Sequence, residues 1–204
     1  MDLLLSWIEK GGMVMYPLLL LSILSWYVII ERAFNLRFRN LIPQNLNELK
    51  TLIQKGDYES AHKIASVTDH PFTRAISVVL EEYLKGRKEK GYLIQLMEAE
   101  LSDIVPKVER NLPILSTTAS VAPLLGLFGT ITGLIKVFQA YSLTSHEQAI
   151  NLLAKGISEV LVAAATGLGV AIPALIFYWI YKVVGNTILE RIEKEAKEII
   201  NSLE

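Results

Sequence analysis

The sequence predicts an all-α membrane protein in which three transmembrane helices carry long helical cytoplasmic extensions. Three observations support this. Uncharged apolar runs of spanning length occur three times, lysine and arginine crowd one of the segments between them, and no stretch alternates polar and apolar residues as a strand would. Hydrophobic residues make up 51% of the 204, and the charges nearly cancel at a formal net −1. That is too apolar for an ordinary soluble domain and lacks the basic excess of a nucleic-acid binder. The absence of cysteine removes disulfides, thiolate metal sites and a cysteine nucleophile. His62, His70 and His146 are scattered without metal-ligand spacing, so neither a metal nor a cofactor is expected.

Taken in order, residues 1–12 carry Leu4, Leu5, Trp7 and Ile8 and read as a short interfacial segment on the outer membrane surface. Asp2 and Glu9 are unlike the basic start of a signal peptide, so the first apolar run is expected to stay in the mature chain. That run, MVMYPLLLLSILSWYVII, opens the first span, 13–34, and is closed by Glu31 and Arg32. The second span, 111–141, has no charge between Arg110 and Lys136, and the third, 156–182, has none between Glu159 and Lys182. About 20 apolar residues suffice to cross the hydrocarbon core. The third run ends in an aromatic and basic belt, Tyr178, Trp179, Tyr181 and Lys182.

Residues 35–110 hold twelve lysines and arginines and read as a cytoplasmic helical domain. Its expected helices are Asn45 to Lys55, Tyr58 to Val67, Phe72 to Lys85, and one from Tyr92 onward into the second span. Residues 142–155 read as a short periplasmic loop with Lys155 as its one basic residue. The tail, 183–204, spaces Ile188, Ile192, Ala196, Ile199 and Leu203 as an amphipathic helix, whose apolar stripe implies a partner surface. The positive-inside rule then places the N-terminus in the periplasm and the C-terminus in the cytoplasm.

Two apolar spans contain more small and polar residues than lipid solubility requires. Ala122, Gly126, Gly129 and Gly133 lie on one face of the second span, and Ala163, Gly167, Ala171 and Ala174 on one face of the third. Lipid supplies no hydrophobic drive between helices, so such stripes serve close backbone approach, either to each other or to neighbouring copies. Ser116, Pro123 and Thr130 recur every seven residues along a second face, and Glu159 and Thr166 are likewise seven apart. A threonine in a membrane helix is cheaply satisfied by the preceding turn. A carboxylate costs about 2.5–3.5 kcal/mol at a helix centre, and by default it marks a pathway or a partner. Glu159 can instead sit at the outer interface, paired with Lys155 one turn earlier. Lys136 reads as a cation snorkelling to the outer boundary.

The runs LPILSTTASVAPLLGLFGTITGL and KGISEVLVAAATGLGVAIPALIFY resemble the ExbB/TolQ/MotA family of ion-driven motor subunits. The likeness extends over the three-span layout, the closing Glu31-Arg32 and the helical segment with QKGDYESAHKIA. It implies a homo-pentameric ring in the bacterial inner membrane around an ExbD-, TolR- or MotB-like single-span partner with a membrane aspartate. Movement would then pass to a TonB- or TolA-like transmitter. By the same resemblance Thr130 and Glu159 are the ring's ion-path residues. The pattern departs at Ala164, where the family usually has threonine, and at Thr132, where ExbB and TolQ usually have tryptophan. Three spans favour that branch over the four-span flagellar MotA type. TonB-dependent import and Tol-type envelope work both stay open, as does proton against sodium. A passive scaffold and a self-contained channel are the competing readings. No nucleophile, base and orienting group cluster as an enzyme would need.

Overall fold

The computed structural model describes residues 11–35, 43, 45–142 and 146–203, with side chains at 35, 140–152 and 155 outside that description. Eight helices occupy the described residues: α1 (Met15–Asn35), α2 (Leu46–Gln54), α3 (Tyr58–Val67), α4 (Pro71–Leu84), α5 (Lys90–Leu101), α6 (Ile104–Glu109), α7 (Leu112–Ser142) and α8 (His146–Asn201). No strand occurs among them. Three are long and apolar enough to cross a membrane, over Met15–Phe34, Leu112–Gln139 and Gly156–Asn201. At about 1.5 Å per residue the 56-residue α8 measures about 84 Å, well beyond a hydrocarbon core of about 30 Å.

The chain divides into two compact units. The first comprises the described residues of Met1–Glu31 together with Asn111–Ile180. Its centre is Val14, Met15 and Leu18 of the first span against Ala122 and Ala171. Around that narrow core, large apolar side chains point outward; Ile23 is 69% exposed and Phe138 67%. In water such a surface would aggregate, and in lipid it is the natural exterior.

The second unit, Arg32–Arg110 with Tyr181–Glu204, is built the opposite way. Leu49, Ile53, Phe72, Ile76, Leu80, Leu93, Met97 and Ile104 fill one continuous core. Its helices start on local signals. Asp57 caps α3 by accepting from the Ser60 amide at 3.2 Å, and His70 Nδ1 accepts from the Phe72 amide at 3.1 Å with Pro71 in the first turn of α4. Arg32, 3% exposed, donates to the carbonyls of Lys107, Val108 and Arg110, where the end of α6 leaves acceptors without helical donors.

Three expectations need correction. The apolar stripe of the tail faces no external partner, because Ile188, Ile192, Ala196, Ile199 and Leu203 are all buried in the second unit's own core. The helix expected from Tyr92 into the second span is broken twice. Pro106, lacking an amide hydrogen, fits only the first turn of a new helix, so α5 ends at Leu101 and α6 starts at Ile104. Asn111 then adopts φ +60°, and its side-chain amide donates to Glu31 at 3.1 Å before α7 begins. Finally, most of 142–155 is not loop. Helix α8 starts at His146, as the helix formers Glu147, Gln148, Ala149, Leu152 and Leu153 favour. The interfacial segment read at 1–12 lies, up to Lys10, outside the described residues.

A glycine-seamed helix pair and its polar pocket

Helices α7 and α8 pack antiparallel along their small residues. A Cβ added to Gly133 would lie 2.6 Å from Val160 Cγ2, one on Gly129 would lie 2.8 Å from Ala163 Cβ, and one on Gly126 would lie 3.1 Å from the Ala163 carbonyl. Further along, a Cβ on Gly167 would meet the Ala122 carbonyl at 2.6 Å and Gly126 Cα at 3.0 Å. The paired numbers rise on one helix as they fall on the other. Ala122 and Ala163 are fully buried and Ala171 is 5% exposed. The small residues singled out in the two spans thus meet within one copy of the chain, and the seam holds the polar residues of both helices at fixed heights.

Each of those hydroxyls turns back on its own helix. Ser116 donates to the Pro113 carbonyl at 3.0 Å, Thr130 to Leu127 at 2.6 Å and Thr166 to Val162 at 2.8 Å. All three are half-buried, as is Pro123, whose missing amide hydrogen leaves the Ala119 carbonyl without its helical donor. Each hydroxyl oxygen keeps its acceptor lone pairs available. Thr118, which the sequence reading passed over, is the fully buried hydroxyl of α7, and its Oγ1 has no hydrogen-bond partner.

Glu159 has different neighbours. Its carboxylate lies against the entry to the first span: a Cβ on Gly12 would sit 2.6 Å from Glu159 Oε1. Gly12 also has φ +71°, a conformation that L side chains rarely adopt, so the position calls for glycine twice over. A cavity of about 420 Å³ opens here, lined by Gly12, Pro17, Phe128, Thr132, Lys136 and Glu159 among others. Thr130 is not among its lining residues. The structure therefore joins Glu159 to Thr132 and Lys136, and it does not bring Glu159 and Thr130 into one pocket. The side chain of Lys155, the other candidate partner of Glu159, lies outside the described residues.

The Gly11-Gly12 pair ahead of the apolar run was the available sequence signal for the contact with Glu159. The second unit has its own cavity of about 520 Å³, whose lining mixes Arg74 and Lys107 with Asp69, Glu100 and Asp103. No cluster of three metal-ligating side chains occurs among the described residues.

The model of the MotA/TolQ/ExbB proton channel family matches residues 65–194, which takes in the seam, Thr130 and Glu159. The chain belongs to this family. It is 34% identical over 172 residues to the ExbB-like protein 1 of Synechocystis sp., across 83% of this chain and 66% of that relative. It is 31% identical over 195 residues to the Tol-Pal system protein TolQ of Haemophilus influenzae, across 87% of this chain and 82% of TolQ. Against the biopolymer transport protein ExbB of Neisseria meningitidis the identity is 28% over 177 residues, across 79% of this chain and 77% of ExbB.

Proposed function

We propose that this MotA/TolQ/ExbB family member is the ring subunit of an ion-driven motor in a bacterial inner membrane, closest in kind to ExbB and TolQ. Five copies would surround a single-span partner of the ExbD or TolR type, with the N-terminus periplasmic and the C-terminus cytoplasmic. The partner's membrane aspartate would load and release a proton beside Thr130 of α7 and Glu159 and Thr166 of α8, with Ser116 and Pro123 on the same face of α7 as Thr130. The energy would serve TonB-dependent import or Tol-type envelope work through a TonB- or TolA-like transmitter. One charge crossing 100 mV releases about 2.3 kcal/mol, so a few protons per step support mechanical work.

The observation that carries this reading is the family match across 65–194, which includes both polar spans. The packing supports it physically. The glycine seam fixes α7 against α8, so a hydroxyl on one and a carboxylate on the other keep their positions while a partner's aspartate changes charge. A threonine hydroxyl cannot titrate near neutral pH, so its part is to hydrogen-bond the aspartate or the water that carries the proton.

The scaffold reading also has a specific observation in its favour, since the hydroxyls of Thr130 and Thr166 are already bonded within their own helices. Thr130→Val separates the two. A hydrogen bond to a charged group contributes about 1.5–3 kcal/mol. Partner-dependent proton uptake into liposomes should therefore fall about ten- to a hundredfold while the oligomer persists on a sizing column. Uptake unchanged by Thr130→Val would leave the scaffold, and conduction by the chain without its partner would point to a self-contained channel.

A further inference from the structure

Ser25 sits in the middle of α1, is 3% exposed, and its hydroxyl has no hydrogen-bond partner in the protein. Ser116, Ser120, Thr130, Thr132 and Thr166 solve the same problem by donating to a carbonyl of their own helix, and Ser25 does not. Across from it, Pro173 interrupts the backbone ladder of α8: it has no amide hydrogen, so the Gly169 carbonyl loses its helical donor. Gly169 lies on the exposed side of α8, where acyl chains offer that carbonyl nothing to bond. Ser25, Gly169 and Pro173 line one cavity of about 20 Å³, together with Ser22 and the flank of Trp26. Along the helices Ser25 is six residues before Glu31 and Pro173 nine before Lys182, so the cavity lies about 9–14 Å inside the charged ends of the two spans.

A buried water needs about 10–15 Å³ and two to four polar partners, and this cavity supplies both. It is too small for a lipid headgroup, and no charged side chain among the described residues lines it, so an ion finds no counter-charge there. We propose that one water molecule is bound here as a bridge between α1 and α8. It accepts from the Ser25 hydroxyl and donates to the Gly169 carbonyl, with the Ser22 hydroxyl as its third partner. No direct bond joins Ser25 to α8, and a water is the link that satisfies both orphaned groups at once. The bridge gives the first span a polar tie to the third, where their other shared contacts are apolar, such as Leu18 and Ala171.

The inference goes beyond the motor reading and is independent of whether the ring moves protons. The test joins a density map of the full-length assembly in lipid nanodiscs to detergent denaturation of variants. The map should show a single peak about 3 Å from both Ser25 Oγ and the Gly169 carbonyl oxygen. Ser25→Ala should raise the unfolding equilibrium constant about three- to tenfold, because a bonded hydroxyl is lost, whereas removing an unbonded buried hydroxyl would stabilise. Pro173→Ala returns an amide to the Gly169 carbonyl and takes one partner from the water, so Ser25→Ala should cost less in that background than in the unaltered chain. The proposal is overturned by a cavity without a peak, by an acyl chain or a neighbouring copy's side chain filling it, by Ser25→Ala that stabilises or changes nothing, or by strict additivity of the two substitutions. None of these residues belongs to the proposed ion path and no gradient enters either measurement, so failure here leaves the motor reading untouched, and loss of proton uptake in Thr130→Val leaves the water site untouched.

Discussion

The two units of this chain solve packing with opposite residues. In the first, helices approach closely at Ala122, Gly126, Gly129, Ala163 and Gly167, while many leucine, isoleucine and phenylalanine side chains are left on the outside. In the second, Phe72, Ile76 and Leu80 are fully buried and the outside is charged. The solvent decides. Against water, burying apolar area gains about 25 cal/mol per Å², so the largest side chains go in. Against acyl chains that gain vanishes, and what holds helices together is the dispersion of closely approached backbones, which only small residues permit.

The largest expected effect that tests this contrast is truncation of a large buried side chain in the second unit. Phe72→Ala should destabilise that unit by about 3–5 kcal/mol, read as faster amide exchange across α3, α4 and α5. Ile23→Ala in the first span, where the side chain is 69% exposed, should leave exchange near its original rate. Equal effects would mean that the outward face of the first span is buried in an assembly and does not face lipid.

A smaller effect is expected at the seam. Gly167→Ala places a methyl 2.6 Å from the Ala122 carbonyl, where backbone must move, and overpacking of this kind costs about 1–3 kcal/mol. Two residues on, nothing lies within 4 Å of a Cβ at Gly169, so Gly169→Ala should be neutral or slightly stabilising through helix propensity. Titration with a denaturing detergent, following the helix signal, distinguishes the pair. Identical behaviour of the two would remove the packing explanation for the glycine stripe.

Much of this was readable from spacing. The three spans, the small-residue stripes and helices at Tyr58–Val67 and Pro71–Leu84 follow from periodicity and from caps such as Asp57 and His70, which are local properties. The breaks around Pro106 and Asn111 were harder to see, because α6 is a single short helix whose final carbonyls are satisfied by Arg32, more than seventy residues away in sequence. The tail's stripe was legible as apolar, but not its destination, since amphipathic pattern does not say which surface covers it. The pocket at Glu159 was least legible of all. It is assembled from Gly12 ahead of α1, Thr132 and Lys136 of α7 and Glu159 of α8, and no spacing rule connects them.

The smallest expected effect concerns the charged exterior of the second unit. Lys50 of α2 bonds Glu198 of α8 at 2.7 Å and also pairs with Glu195. Burial alone would lower the pKa of Lys50, but its hydrogen bonds and attraction to the two carboxylates outweigh that, and the net shift from 10.5 is upward. The hydrogen bond and attraction to Lys50 hold Glu198 below its ordinary 4.5. A raised lysine stabilises below its ordinary pKa and loses that contribution as pH rises through the raised value. A lowered carboxylate stabilises above its ordinary pKa and loses its contribution as pH falls through the lowered value. The stability difference between the unaltered chain and Lys50→Met should therefore be flat between about pH 5 and pH 10 and vanish at either extreme. It should also shrink in concentrated salt, because Glu198 is half exposed and screened. A difference that persisted at low pH and high salt would mean that the aliphatic stem of Lys50, packed beside the tail helix, matters more than its charge.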